Sequence, residues 1–411
     1  MDYSKKTRKE LLEACKSAGL KGYSTKNKAD LITLLTSDVA PAKAAGGAGA
    51  KAKAKEKPQP VNKIARLNYI GSKFQLIDWL TSTILQKTGW ESFAGKTISD
   101  LFAGTGVVSH HFRCCGAKVI SNDAELYSSI ITYAFTRSVF TPRCKEIIAL
   151  LQNELDEGCG GLTTGFITKH YSPHDTSERK FFTVDNARRI DYLRRRLEEL
   201  RSDVSEDEYV FLLASIIISA DAVSNVPAVY GCFLKEFKAK ATKTLTLTPI
   251  HASSVAATEG SCTYNKDVLN AELLASFEAD CVYLDPPYNE RQYSKNYFPL
   301  NIIAKTPTAL ESEGALKGKT GIPSDCFISP FCKKGATVEA AMDTLFRGLN
   351  AQWIFMSYNS ESIVPRDKVL EIMGRYGTAT VEERDYKRFK SFEYNKNVEI
   401  KEYLFCLEKR R

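Results

Sequence analysis

Thr97-Ile98-Ser99-Asp100-Leu101-Phe102-Ala103-Gly104-Thr105-Gly106, followed by Val107-Val108-Ser109-His110-His111-Phe112, is the stretch that decides the fold. It reads as strand, glycine turn, helix. Glycines at 104 and 106 let the backbone turn tightly and approach a ligand with no Cβ in the way. Ser109 stands where a dinucleotide fingerprint has its third glycine, and no Gly-Lys-Ser/Thr follows, so the turn is neither that fingerprint nor a phosphate loop. Taken alone, a G-x-G is most often just a turn.

Gly116-Ala117-Lys118-Val119-Ile120-Ser121-Asn122-Asp123 reads as a second strand ending in an acid. Asp123 suits either of two roles there: accepting bonds from ribose hydroxyls, or capping a helix that starts near Glu125. Farther on, the apolar run Cys281-Val282-Tyr283-Leu284 reads as a buried strand and stops at Asp285-Pro286-Pro287-Tyr288. Two prolines neither continue a strand ladder nor enter a helix interior, so the chain leaves the strand in a stiff extended turn. That turn sets a carboxylate (Asp285), a backbone carbonyl (Pro286) and a ring (Tyr288) at a strand's carboxyl end, the edge where open α/β sheets bind ligands. Two acceptors beside a stacking surface suit a flat base with an exocyclic amine. The plain alternative is a Pro-Pro turn with a capping Asp.

Together these motifs resemble the Dam-like (alpha-group) adenine-specific DNA methyltransferases. Phe102–Gly106 matches their S-adenosyl-L-methionine motif, Asp285–Tyr288 their catalytic motif, and Asn68-Tyr69-Ile70-Gly71-Ser72-Lys73 their short N-terminal element. Asn289-Glu290-Arg291-Gln292-Tyr293-Ser294 and Phe355-Met356-Ser357-Tyr358-Asn359 are similar to a subgroup of the family, and the likeness covers roughly residues 61–408. It implies an α/β fold with a Rossmann-like methyltransferase sheet, a mostly helical target-recognition insert and transfer of methyl to the N6 amine of a flipped-out adenine. It also implies that Asp100 meets the cofactor's methionine amine, that Phe102, Ala103, Gly104 and Gly106 line its pocket, and that Tyr69 and Lys73 lie close. An acid near Asp267 holds the cofactor's adenine amine in the family; here Lys266 replaces the usual preceding glycine. Asp285, Pro286, Pro287 and Tyr288 are the expected catalytic group, and Asn289, Arg291 and Tyr293 are expected to meet nucleic acid. Cytosine N4, where Ser commonly opens the motif, an RNA adenine, and an inactive DNA-binding scaffold are the competing readings.

The implied organisation is an N-terminal module (1–36), a linker (37–60), a cofactor half (61–136), the insert (137–259) and a catalytic half (260–411). The 411 residues are 43% apolar, enough for a sizeable core, yet no run approaches the length of a membrane span. The first residues lack a signal peptide's apolar core. Eleven cysteines form no C-x-x-C pair, which predicts reduced thiols in an intracellular protein with access to DNA, not a secreted one. Pro173 between His170 and His174 argues against a helical metal pair, so no metal is expected.

The formal charge of +8 is concentrated: residues 1–60 hold thirteen Lys/Arg against six Asp/Glu. Such an arm either attracts a polyanion or is a solvated tail. Within it, residues 7–36 carry helical periodicity around a glycine- and lysine-containing turn, and resemble the SAP helix-extended-helix DNA-binding module. Lys26 and Lys28 are its candidate phosphate contacts; a hairpin that packs on another protein is the alternative. Residues 37–60 are an Ala/Lys/Gly/Pro linker. In the insert, Asp185 to Arg201 predicts a charged helix with Ile190, Leu193, Leu197 and Leu200 inward, and Tyr209 to Ala222 a buried one. Lys235, Lys238, Lys240 and Lys243 follow small and aromatic residues, as in a loop lying along double-stranded DNA or in any exposed loop. The polar stretch 301–340 is placed to close over the base, and Lys387 and Arg388 form a basic-aromatic patch before a last strand from Val398 to Leu407.

Overall fold

The computed structural model describes residues 6–17, 28, 31, 32, 35, 67, 69–158, 164–253, 255–386 and 400–410. The chain forms two compact units, residues 1–57 and 58–411. In the first, the helix Arg8–Ser17 opens with a capping box: the Thr7 hydroxyl accepts from the Glu10 N–H and the Glu10 carboxylate from the Thr7 N–H. Leu11, Cys15 and Leu31 are fully buried together, with Leu12, Ile32 and Leu35 partly covered, so the helical periodicity marks a real core.

The second unit is built on a seven-stranded sheet. Its strands are β1 (Thr97–Asp100), β2 (Lys118–Asn122), β3 (Cys262–Tyr264), β4 (Ala279–Leu284), β5 (Ala351–Asn359), β6 (Gly377–Tyr386) and β7 (Ile400–Lys409). Their order is β3-β2-β1-β4-β5-β7-β6, and β7 runs antiparallel to both its neighbours while the other pairs are parallel. The α/β Rossmann-like expectation holds. Chain order reverses between β1 and β4, which opens a crevice at their carboxyl ends.

Period-two side chains divide the core between the two faces of the sheet. Ile98, Val119, Cys281, Tyr283, Phe355 and Leu404 pack against helices Ile77–Thr88 and Val107–Cys114. Ile120, Val282, Leu284, Ile354, Met356 and Leu407 pack against helices Ala336–Gly348 and Arg366–Gly374. A third cluster joins helix Leu126–Thr136 to helix Tyr293–Ala304 and to the helices of the insert, Pro142–Asp156, Phe166–Tyr171, Val184–Glu199 and Glu206–Ala222. Thr141, Thr183 and Ser205 cap three of the insert helices, Ser205 reciprocally with Glu208. Ile190, Leu193 and Leu197 are buried as their spacing predicts, while Leu200 ends the helix as its C-cap.

After Ala222 the insert runs as irregular chain up to β3. Buried amides hold it in place of a ladder: Asn186 donates to the carbonyls of Ala241 and Lys243, and Asn225 to those of Lys180 and Leu234. Two of the loop lysines are used the same way. The Lys238 ammonium donates to the Val226 carbonyl, and Lys240 to the Asp221 carbonyl at 2.9 Å. Lys235 and Lys243 are exposed.

Candidate active site

The crevice between β1 and β4 is a cleft of about 930 Å³, its open mouth included. On the β1 side Asp100 ends the strand and is 1% exposed. Its Oδ2 accepts from the Ser109 hydroxyl at 2.6 Å, but Oδ1 has no hydrogen-bond partner among the described residues. Burial pushes this carboxyl up to about 7, the Ser109 bond opposes the rise, and the charges of Asp285 and Asp123 add to it. A buried, half-satisfied carboxylate in a ligand cleft asks for a cation.

Gly104 turns the chain at φ +53°, and a Cβ there would meet the Tyr69 ring at 3.2 Å. Its N–H donates to Asp123 Oδ2 at 2.7 Å, and the Glu125 N–H donates to Asp123 Oδ1 at 2.9 Å. Asp123 lines the cleft, but each oxygen already accepts a peptide N–H, so it clasps the glycine turn to the end of β2 and starts the next helix at once. Gly106 departs from its expected place on the cofactor. It does not line the cleft; at φ +71° its missing Cβ makes room for Phe135 and the Thr132 backbone, 2.9 and 3.0 Å from where that atom would be.

On the β4 side Asp285 Oδ1 lies 2.8 Å from Lys73 Nζ, which also donates to the Gly71 carbonyl at 3.1 Å. Burial would lower the Lys73 pKa, but the carboxylates of Asp285 and Glu402 outweigh it and hold the ammonium charged. Burial raises Asp285, and Lys73 opposes the rise. The segment that delivers Lys73 is tied down by two tyrosines of helix Tyr293–Ala304. The Ile70 N–H donates to Tyr297 Oη at 2.9 Å, and Tyr293 Oη donates to the Ile70 carbonyl at 3.4 Å. Tyr69 stacks on Tyr297 with centroids 4.8 Å apart. Gly71, at φ +83°, lets the Tyr288 ring approach to within 3.3 Å of where its Cβ would be.

The stretch after the catalytic turn closes one wall. Gln292 pairs with the backbone of Ser329 in both directions, accepting from its N–H at 2.8 Å and donating to its carbonyl at 3.1 Å. The Ser294 hydroxyl donates to the Phe327 carbonyl. Phe327 and Ser329 line the cleft, and Phe331 packs edge-on against Phe102 at 5.1 Å.

The cleft therefore gathers Tyr69, Lys73, Asp100, Phe102, Ala103, Gly104, Asp123, Asp267, Asp285, Pro287, Tyr288 and Tyr293. Pro286 is buried and lies outside the lining. Asn289 turns its amide oxygen to the Arg291 N–H at 3.0 Å, and Arg291 is exposed; neither lines the cleft. Lys28 is exposed on the N-terminal unit, and Lys26, Lys387 and Arg388 lie outside the described residues. No group of three or more His, Cys, Asp or Glu among the described residues is arranged to hold a metal.

Three contributors are given no role by the sequence. Gln292 lies within the Asn289–Ser294 motif, and Glu125 follows Asp123 by two residues, bonded to Asn301 Nδ2 at 2.6 Å with its carboxyl pushed up to about 8 by burial. Glu402 is the third. It is 7% exposed on β7, and burial pushes it up to about 7, with Lys73 opposing the rise and Asp285 adding to it. Its signal is present in the sequence: Ile400, Glu402, Leu404 and Cys406 alternate along one strand face, and a carboxylate interrupts an apolar series.

Residues 69–365 match the profile of the D12 class N6 adenine-specific DNA methyltransferases. The type II methyltransferase M.NlaIII of Neisseria lactamica is 38% identical over 351 residues, covering 84% of this chain and 99% of that protein. M.CviAII of Paramecium bursaria Chlorella virus 1 is 37% identical over 342 residues, covering 83% and 98%. M.FokI of Planomicrobium okeanokoites is 31% identical over 84% of this chain and 53% of its own length. S-adenosylmethionine is accordingly the methyl donor, and adenine N6 in DNA receives the methyl. The cleft fits a cationic donor: it is lined by the buried carboxyl of Asp100, one oxygen of which has no hydrogen-bond partner among the described residues. The chain belongs to the D12 class N6 adenine-specific DNA methyltransferase family.

Proposed function

We propose that this chain methylates adenine N6 at one short word in double-stranded DNA, with the target adenine turned out of the duplex and held between Asp285 and Tyr288. The observation that carries this reading is the sharing of one cleft by Asp285 and Asp100, the second with a carboxylate oxygen that no described residue satisfies. S-adenosylmethionine supplies a methyl made electrophilic by its sulfonium. The residues proposed to hold it are Asp100 at the methionine ammonium, Glu125 on the ribose side beside the Asp123 clasp, and Asp267 at the adenine amine, with Tyr69, Phe102, Ala103 and Gly104 around them.

The exocyclic nitrogen of adenine is a weak nucleophile because its lone pair is delocalised into the ring. Asp285 and the Pro286 carbonyl accept its two hydrogens, which localises the lone pair and aims it. This is positioning with electrostatics. Lys73 keeps Asp285 ionised before the base arrives. Tyr288 provides the stacking face. Outside the cleft, Arg291 and Lys235 meet phosphates and fix register without reading sequence. The N-terminal unit, tethered through residues 37–60, raises the local concentration of DNA through Lys26 and Lys28. Access to DNA places the protein inside the cell, and the type II methyltransferases it resembles support a modification role.

The test is methyl transfer from labelled donor to duplex DNA, single-stranded DNA and RNA, with sequencing of the methylated positions in DNA from expressing cells. N6-methyladenine at a single word in duplex DNA is expected. Label confined to cytosine N4 or to RNA, or no incorporation at all, overturns the reading.

A further inference from the structure

We propose that Ile328 is the wedge that enters the base stack and fills the gap left when the target adenine turns out. The inference rests on the reading above and names the residue that stabilises the opened duplex. Among the described residues, three large apolar side chains are left exposed: Leu150, Val255 and Ile328. Leu150 lies on helix Pro142–Asp156 of the insert, and Val255 on the connection into β3. Ile328, 45% exposed, lies instead on the segment that walls the cleft.

Its two neighbours are the reason it points where it does. Phe327 and Ser329 both line the cleft. Ser329 has extended backbone, φ −69° and ψ 130°, and alternate residues of extended chain project to opposite sides. Ile328 therefore leaves the wall at the cleft's rim and faces out. It is also held there firmly. Phe327 is tied through its carbonyl to Ser294, Ser329 through its N–H and carbonyl to Gln292, and the Ser329 hydroxyl caps the Phe331 N–H at 3.2 Å. Phe331 anchors the far end, buried against Phe102. An exposed isoleucine on a backbone fixed from both sides is pre-organised, and its β-branched side chain has little rotamer freedom to lose. Flipping unstacks two base faces, and an apolar side chain inserted between them recovers part of that loss.

The probe is a duplex carrying the word mapped by methylation sequencing, with 2-aminopurine at the target position for the fluorescence reading and adenine there for turnover. Ile328→Ala is expected to lower duplex methylation about tenfold or more and to blunt the 2-aminopurine rise on binding with S-adenosylhomocysteine. Methylation of the same strand as a single strand should change by less than about twofold, and an abasic site opposite the target should restore the duplex rate, because neither substrate has a full stack to refill. Ile328→Leu should keep activity. Equal losses on single-stranded and duplex substrate, or no loss on the duplex, overturn the wedge alone. A wild-type protein that methylates adenine in neither substrate overturns the functional reading, and the wedge with it.

Discussion

At the β2 end of the cleft Asp123 accepts two peptide N–H groups; at the β4 end Asp285 faces one lysine ammonium. The difference is in what each carboxylate has left to offer. Peptide N–H groups belong to the turn itself, so the Asp123 carboxylate is built into the scaffold and shapes the donor pocket by holding Gly104. The Lys73 ammonium is buried and meets Oδ1 of Asp285, so the other oxygen of that carboxylate is left for a base. The same side chain thus serves as a clasp at one end of the sheet edge and as a reagent at the other.

Replacing the reagent should have the largest effect. Asp285→Asn is expected to lower methyl transfer by at least about a hundredfold, while donor affinity read by calorimetry stays within about twofold, because the donor meets the other end of the cleft. A variant with normal turnover would erase the distinction. Lys73→Met tests the same end more gently. Lys73 opposes the rise that burial imposes on Asp285, so its loss should raise the Asp285 pKa further. Turnover that needs the ionised form should then suffer more at pH 6 than at pH 8.5. An unmoved acid limb in the pH–rate profile would show that Lys73 does not keep Asp285 charged.

The two strand ends that form the cleft are legible in the sequence. Asp285–Tyr288 and Phe102–Gly106 are strand ends, and a strand end displays its residues at the ligand edge whatever packs elsewhere. Roles that depend on partners far along the chain were not legible locally. Gly106 looks like a ligand glycine but makes room for packing, because its nearest neighbours, Thr132 and Phe135, come from helix Leu126–Thr136, beyond β2 in the chain. Lys238 and Lys240 look like phosphate contacts and instead bond carbonyls of their own loop. Glu402 acts on Lys73 and Asp285 only through the pairing of β7 with β5, which sets it opposite Asn359. Gln292 acts on Ser329, thirty-seven residues later.

Asp100 should give the next largest effect. Asp100→Asn is expected to weaken donor binding by about ten- to a hundredfold, the range for a bond to a charged group, with a much smaller effect on kcat at saturating donor. The wild-type carboxyl, held up to about 7 in the folded protein, must lose its proton to meet a cation. Donor affinity should therefore rise as pH increases through 7, with proton release on binding below it. Without donor, Asp100 and Glu402 keep protons up to about 7 that the unfolded chain gives up near 4. The folded state then binds more protons across that window, so stability falls as pH rises through it. Thermal melts from pH 4.5 to 8, with and without donor, check both signs; a donor-free Tm that climbs with pH would contradict them. Asp123→Ala comes after these. Two peptide N–H groups lose their acceptor, and stability should drop by about 1–3 kcal/mol in a denaturant melt, accompanied by weaker donor binding. A loss of affinity with no loss of stability would make Asp123 a ligand contact instead of a clasp.

Two glycines carry the smallest and most discriminating test, because each admits one tyrosine from opposite ends of the cleft. Gly104, at φ +53°, leaves room for Tyr69 over the donor side, and Gly71, at φ +83°, leaves room for Tyr288 over the base side. Alanine at either position is strained by the left-handed backbone, by about 1–2 kcal/mol, and its Cβ, 3.2 or 3.3 Å from the ring, obliges that ring to shift by a few tenths of an ångström. Strain of this kind is shared between folding and function, so each change should alter kinetics by only about two- to fivefold. Gly104→Ala should raise the donor Kd and leave kcat nearly alone. Gly71→Ala should lower kcat and leave donor binding nearly alone, since Tyr288 follows Asp285 in the turn that receives the base. Steady-state kinetics with donor titrations at fixed duplex separate the two. A crossed result, with Gly71→Ala acting on donor affinity, would mean that the Lys73 segment serves the donor and that the cleft is not divided between scaffold and reagent ends.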